Sequence, residues 1–385
     1  MQPAHFDVIV VGAGPAGALT AYELGRRGLR TVLLEKHRLP REKTCGGGLT
    51  HKVLDVVPFD LAPVIERTIT TVALSWRLKG ASILKSANPL IHFIRRHRFD
   101  AFLVEQAVST GHVELVDGTG VSRIDAGDDE AVVQTPSGAF AARYVVGADG
   151  ANGIVARSFG LLSGRVLLPA VECEFAVDSA TMDAWTDRVG IDVGTLPGGY
   201  GWVFPKGEHL NVGVGCFAPS TGSNRLVAQY ERDHFKYWLP KATMSSRRGA
   251  VLPLRPPGAP IQQRRILLVG DAAGLVEAFT GEGIYWALRS GKLAARSIAE
   301  ALAPGAPSLR YQDAVDRELM PDLVEARRLA HLYLWWPGCV HTLPTRWPAA
   351  WRTVQNLVRG ERRFTDIRGL LGMPGRLIGL IPTGL

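Results

Sequence analysis

The 385-residue chain has no run of the ~18 uncharged apolar residues that crossing a bilayer takes, so no membrane-spanning helix is expected. Cysteine is scarce. Cys45, Cys173, Cys216 and Cys339 form no Cys-x-x-Cys pair, which argues against a disulfide framework and a thiolate metal site. His51, His92 and His97 lack paired ligand spacing, so no metal centre is expected, and there is no nucleophile elbow. Internal repeats and low-complexity segments are absent. With 46% hydrophobic and 21% charged residues, the composition is that of a folded globular chain. Acids are few towards the end. After Ala330, Arg346, Arg352, Arg359, Arg362, Arg363, Arg368 and Arg376 face only Glu361 and Asp366, within a formal net charge of +8. No nucleic-acid motif accompanies this excess, so an anionic membrane surface ranks ahead of nucleic acid as a partner. The chain runs almost at once into an apolar strand, without the charged and apolar regions of a signal peptide, so the expected location is cytoplasmic, with peripheral membrane contact.

What is present begins at residues 6–35. An apolar, β-branched run at 6–11 reads as a buried parallel strand. Gly12, Gly14 and Gly17 follow in Gly-x-Gly-x-x-Gly spacing, then a helix over 18–27 ended by Gly28, a strand over 31–34, and Glu35. This is the complete βαβ dinucleotide fingerprint. Gly12 permits the turn, Gly14 admits a pyrophosphate, and Gly17 lets the helix lie on the strand. The helix N-terminus presents unpaired N–H groups to phosphate. Glu35 accepts from a ribose, and its charge disfavours a 2′-phosphate.

The loop 36–50 carries Gly46, Gly47 and Gly48 and reads as a close backbone approach. Residues 51–68 are expected to be helical, interrupted by Pro58, and 69–84 to form strand pairs. A helix opened by 95–100 and running over 101–110, and strands at 113–116, 131–134 and 139–145, follow. From 166 to 254 the pattern becomes antiparallel, with 170–177 alternating as a strand with one wet face and 201–204 pairing with 210–215. A buried strand at 265–269 leads to Gly270, Asp271 and a second glycine-rich turn. A long helix over 281–302 comes next, and everything after it reads helical.

The first motif leaves the choice of dinucleotide open, and the second element settles on FAD. Asp271 at a strand end suits a ribityl hydroxyl, and the helix after Gly281 aims its N-terminus where a reduced flavin carries negative charge. Here the sequence resembles the glutathione-reductase-type FAD proteins of the para-hydroxybenzoate hydroxylase branch. The matching residues are Arg96-x-x-Phe99-Asp100, Asp149-Gly150 followed by Arg157, and Gly270-Asp271 through Gly281-Glu282-Gly283-Ile284. Pro40-Arg41-Glu42-Lys43-Thr44-Cys45-Gly46-Gly47 and Tyr200-Gly201-Trp202-Val203-Phe204-Pro205, with Gly213-Val214-Gly215 beyond, resemble the geranylgeranyl reductase family more narrowly.

The resemblance implies an α/β fold with a Rossmann-like FAD-binding domain at 1–68, 96–165 and 261–304. An inserted antiparallel-sheet substrate domain would occupy 69–95 and 166–260, and a C-terminal helical region 305–385. It implies an FAD enzyme that saturates C=C bonds of a polyprenyl chain, drawing electrons from NAD(P)H or ferredoxin. Its FAD-binding residues would be Gly12, Gly14, Ala16, Gly17, Glu35, Arg41, Cys45, Gly46, Gly47, Arg96, Val121, Asp149, Gly150, Gly270, Asp271, Gly281, Gly283 and Ile284. Cys45, Tyr200 and Trp202 would be catalytic, and Tyr200, Trp202, Phe204 and Pro205 would meet substrate.

Cys45 reads as a proton donor or redox thiol in the basic setting of Arg41 and Lys43, or as a small residue filling a turn. Tyr200 and Trp202 share a strand face, suited to a prenyl tunnel or to ordinary core packing. The sequence departs from the family where Ala278, preceded by Glu277, replaces a proline, which predicts a freer loop with an added backbone donor. Trp335, Trp336, Trp347 and Trp351 among arginines read as an interfacial belt or as packing of a helical cap. The apolar run from Leu370 to Ile381 reads the same two ways, as lipid contact or as docking on the fold. A monooxygenase or halogenase is the closest rival, since Tyr-x-Trp-x-Phe-Pro is similar to a halogenase motif. A non-catalytic electron carrier would need no tunnel.

Overall fold

The computed structural model describes residues 3–216, 224–305 and 308–367. Val8, Ile9 and Val10 have no exposed surface, because the strand Ala4–Val11 lies inside a sheet covered on both faces. Five parallel strands run in the order Ile266–Leu268, Gly138–Gly147, Ala4–Val11, Thr31–Leu34, Val113–Val116. Ala131–Thr135 and Arg123–Ala126 add an antiparallel extension. Every residue of the helix Pro15–Gly25 is buried. Its small side chains let the helix Ile284–Leu302 cross closely, with Gly291 against Ala16 and Thr20.

A second sheet of seven strands runs Thr243–Leu254, Val166–Ala176, His209–Cys216, Gly199–Lys206, Arg188–Val193, Thr71–Trp76, Lys79–Lys85. All its pairs are antiparallel except Arg188–Val193 with Thr71–Trp76. A small sheet of Gly48–Thr50, Ile91–Phe93 and Arg67–Ile69 ties in the end of the glycine loop.

Three expectations change. Residues 51–68 form no α-helix but two 3₁₀ turns, His51–Asp55 and Ala62–Val64, because Pro58 and Pro63 remove donors that a continuous helix needs. The helix expected to open within 95–100 and run to 110 starts at Arg96 and ends earlier, at Val108. The helix expected from 281 starts at Ile284 with Gly283 as its cap. The C-terminal part is helical as read, in Tyr311–Glu318, Met320–Trp335, Gly338–Arg346 and Pro348–Arg359. The run from Leu370 to Ile381 lies outside the described residues.

Candidate functional site

A cavity of about 1020 Å³ passes between the two large sheets, starting at the carboxyl ends of the parallel strands. Gly12 sits at φ +105°, and a Cβ there would collide with the Ala148 carbonyl, so only glycine makes this turn. Gly14 caps the helix with no side-chain hydrogen bond, leaving the first-turn N–H groups without side-chain acceptors. A Cβ on Gly14 would meet nothing nearer than Arg41 Nη2 at 3.8 Å, so the floor here is open for phosphate. Glu35 accepts from Ala13 N–H at 2.9 Å and His37 N–H at 3.1 Å, with Arg41 Nε 3.2 Å away.

Asp100, fully buried, receives Arg96 through two bonds of 2.8 Å and Arg41 Nη1 at 3.0 Å. Burial works against the Arg96 cation, but Asp100 and Cys45 outweigh it and raise its pKa. The cation beside Cys45 is therefore Arg96. Arg41 pairs with Glu35 and Asp100, and Lys43 acts on Asp271. The Cys45 peptide is held at both ends: its N–H donates to Glu172 Oε1 at 3.0 Å, and Lys206 Nζ donates to its carbonyl at 2.8 Å. Gly47 N–H points at Cys45 Sγ, 3.4 Å away.

Across the cavity, the Asp271 carboxylate has no hydrogen-bond or ion-pair partner among the described residues. Burial raises its pKa against the pull of Lys43 and Arg96. Gly283 opens the helix Ile284–Leu302 beside it, again with no side-chain cap. Asp149 accepts from Val155 N–H at 3.0 Å through one oxygen, while its other oxygen is buried without a partner. Two capless helix N-termini, an open glycine floor, a free carboxylate and an orphaned carboxylate oxygen fit a dinucleotide with a polyol and a flavin ring.

Tyr200, Trp202 and Phe204 project from one face of Gly199–Lys206 into the cavity, with neighbouring ring centroids 5.8 Å apart. Gly213 lies in register between Trp202 and Glu172, and a side chain there would strike the indole. The Trp202 Nε1–H donates to Asn211 Oδ1 at 2.8 Å. Tyr200 donates to the Thr280 carbonyl at 2.6 Å. That loop is not freed by Ala278. Ala278 is buried, and Glu277 accepts from Phe279 N–H, Thr280 N–H and the Thr280 hydroxyl, so its carboxylate constrains the turn where a proline would have done so. Burial pushes the Glu277 carboxyl up to about 7, opposed by these donors and aided by Glu282.

Of the residues expected to bind FAD or substrate or to be catalytic, Gly17, Gly270 and Pro205 do not line the cavity. Gly17 and Gly270 are packing contacts between helix and turn, and Pro205 falls on the opposite strand face. Ala16, Gly46, Val121, Gly150, Gly281 and Ile284 line it with the rest. Sequence reasoning missed two features. Glu172 and Glu174, read as a wet face, belong to the face that meets the Cys45 loop. Trp351, Val354, Leu357 and Val358 form a stripe at helical spacing on Pro348–Arg359 that lines the cavity.

Residues 5–180 match the family described as FAD binding domain. The chain is similar to digeranylgeranylglycerophospholipid reductase 1 of Methanopyrus kandleri, 31% identical over 85% of this chain and 90% of that one. Its fold is similar to a geranylgeranyl bacteriochlorophyll reductase-like protein of Thermoplasma acidophilum, at TM-score 0.72 and 24% identity over 98% and 96% of the two chains. It is similar in fold also to the flavin-dependent brominase Bmp2, at TM-score 0.73 and 18% identity over 97% and 100%. The cofactor is FAD.

Two outcomes follow from the geometry. Asp271→Ala should weaken FAD binding by about 1–3 kcal/mol, the weight of a hydrogen bond to a charged group, in a flavin-fluorescence titration of the apoprotein. Unchanged affinity would remove Asp271 from the cofactor site. Glu277 holds its proton up to about pH 7 when folded, against an ordinary value of 4.5. The native state therefore binds more protons than the unfolded chain between those values, and this group makes stability fall as pH rises through that window. Melting temperatures of Glu277→Gln should lose that falling component, and a slope equal to wild type would assign it to other groups.

Proposed function

The chain belongs to the geranylgeranyl reductase family of FAD-dependent oxidoreductases, and from that premise we propose that it saturates C=C bonds in the polyprenyl chain of an isoprenoid lipid, diphosphate, quinone or pigment. The observation that carries the reading is the continuity of the cavity. The same cavity is lined by the glycine floor and Asp271, by Trp202 and Phe204, by Leu74 and Ile191 side by side on neighbouring strands, and by the apolar stripe of Pro348–Arg359. A long unbranched run of apolar wall suits a chain, whereas a small aromatic substrate of a halogenase or monooxygenase needs a short pocket with polar groups to orient it.

Bound FAD supplies the two-electron chemistry. This chain's own residues hold the cofactor through Gly12, Gly14, Glu35, Asp271 and the N-terminus at Ile284. Cys45, Tyr200 and Trp202 border the reacting bond, and Phe204 guides the chain with Pro205 behind it. Water is kept out by the aromatic wall and the helical cap, which matters for an unpolarised alkene. No second dinucleotide fingerprint is present, so NAD(P)H or ferredoxin would deliver electrons without a Rossmann unit of its own.

Peripheral contact with an anionic membrane is part of the proposal. Trp351 donates to the Lys85 carbonyl and Arg359 to that of Pro89, so these two serve the fold. Trp335, Trp336 and Trp347 are 65%, 69% and 53% exposed, with Arg346 and Arg352 also exposed. Aromatic and basic groups together suit a headgroup layer.

Reduced protein mixed without oxygen with a geranylgeranyl-bearing lipid should be reoxidised as the product gains two hydrogens per bond. Oxygen-dependent hydroxylated or halogenated product, with no saturated chain from any donor, would overturn the reading. Anionic vesicles should sediment the protein, less so as salt rises, and replacing Trp335, Trp336 and Trp347 together by alanine should abolish binding. Equal sedimentation of the triple variant would place any lipid contact elsewhere.

A further inference from the structure

The polar groups around Cys45 are arranged unevenly. Glu172, buried in the cavity wall, accepts from the Cys45 N–H at 3.0 Å and from Asn211 Nδ2 at 3.2 Å. Neither partner is charged. The cations of this region go to other acids: Lys206 lies 3.4 Å and His209 3.0 Å from Glu174, and Arg248, in register with Glu172 on the next strand, points to Glu42 at 3.7 Å. Among the described residues no cation lies within ion-pair distance of Glu172. A carboxyl so placed, beside the Trp202 indole across the flat seat of Gly213, is disfavoured as an anion. Burial raises its pKa, Lys206, Asn211 and the Cys45 N–H oppose, and Glu174 reinforces. The sulfur of Cys45, by contrast, is faced by donors, Gly47 N–H and Arg96.

We propose that Glu172 is the acid that delivers a proton to the alkene carbon of the substrate. This rests on the prenyl-reduction reading. The Glu172 O–H bond breaks as a C–H bond forms on one carbon of the double bond. The other carbon takes its hydrogen with two electrons from reduced flavin, the reductant. The carboxylate left behind regains a proton from water before the next turnover. Glu172 touches the cavity and lies within one peptide of Cys45, so the acid and the glycine loop act at the same point. The amide of Asn211 holds both Glu172 and, at 2.9 Å, Glu174, which fixes the carboxyl plane without supplying a counter-charge.

The test uses flavin-loaded full-length protein in two arms. In the first, infrared difference spectra of wild type against Glu172→Gln should contain a protonated-carboxyl carbonyl band, persisting where an ordinary glutamate of pKa about 4.3 has lost it. In the second, reduced protein is mixed anaerobically with a geranylgeranyl-bearing lipid across a pH series. Wild type and Cys45→Ser should show a rate that declines as pH rises. Glu172→Gln should be slower by ~10²–10⁴ at low pH and lack that limb, with an unaltered flavin spectrum, and Glu172→Asp should recover part of the rate. Absence of the difference band overturns the proposal, as does Glu172→Gln reoxidising at the wild-type rate, or the limb vanishing in Cys45→Ser but surviving in Glu172→Gln. If wild type keeps the band yet is not reoxidised by any prenyl lipid, the substrate reading fails while Glu172 stands as the proton-bearing acid of the site.

Discussion

The site depends on one buried charge, that of Asp100. It takes a bidentate pair from Arg96 one helical turn away and a third bond from Arg41, which reaches on to Glu35. Two cations and two anions close a neutral group that spans the helix Arg96–Val108, the glycine loop and the end of the second parallel strand. Removing one partner of such a buried group leaves the others uncompensated, a loss of about 3–5 kcal/mol. The Arg-x-x-Phe-Asp spacing is thereby explained. Arg96 and Asp100 meet at i, i+4, while Phe99 turns into the core. With Arg41 anchored, the loop that follows has little choice of path to Cys45.

The second sheet constrains the same loop from the other side. Glu172 and Lys206 hold the two ends of the Cys45 peptide, and a Cβ on Gly46 would press on the Phe204 ring at 3.0 Å, so the loop passes close to that ring. The glycine loop and the aromatic strand are joined at this residue. The turn at Glu277 answers in kind. Its carboxylate binds the loop whose Thr280 carbonyl is held by Tyr200, so the same strand also reaches the opposite edge of the site.

The dinucleotide half was legible because its signals are local: a strand, three glycines, a helix and an acid fall within thirty residues, and each glycine's task follows from backbone sterics. The place of Asp271 on the cavity wall was legible for the same reason. Residues 51–68 misled because Val53, Val57, Leu61 and Val64 keep helical spacing while Pro58 and Pro63 forbid the hydrogen bonds. The strand Thr243–Leu254 was folded into the antiparallel region without a place of its own, since its first half is exposed and polar and shows no alternation. Glu172 looked wet because alternation tells which residues share a face and never what that face meets. The role of Glu277 was hidden for a related reason: a carboxylate can rigidify a turn as well as a proline can, and only the fold shows which donors it finds.

The cap helix Pro348–Arg359 lines the cavity, and three hydrogen bonds, from Trp351, Gln355 and Arg359, join it to the backbone at Lys85 and Pro89. None of the residues expected to hold FAD lies on it. Under the prenyl-reduction proposal, this short piece of chain would set the length of guest admitted, and other segments the chemistry. Sliding that helix by one turn would then lengthen or shorten the chamber by about 5.4 Å, the rise of one helical turn. On that proposal the fold would act as a gauge with an adjustable stop, one reaction centre serving guests of different lengths.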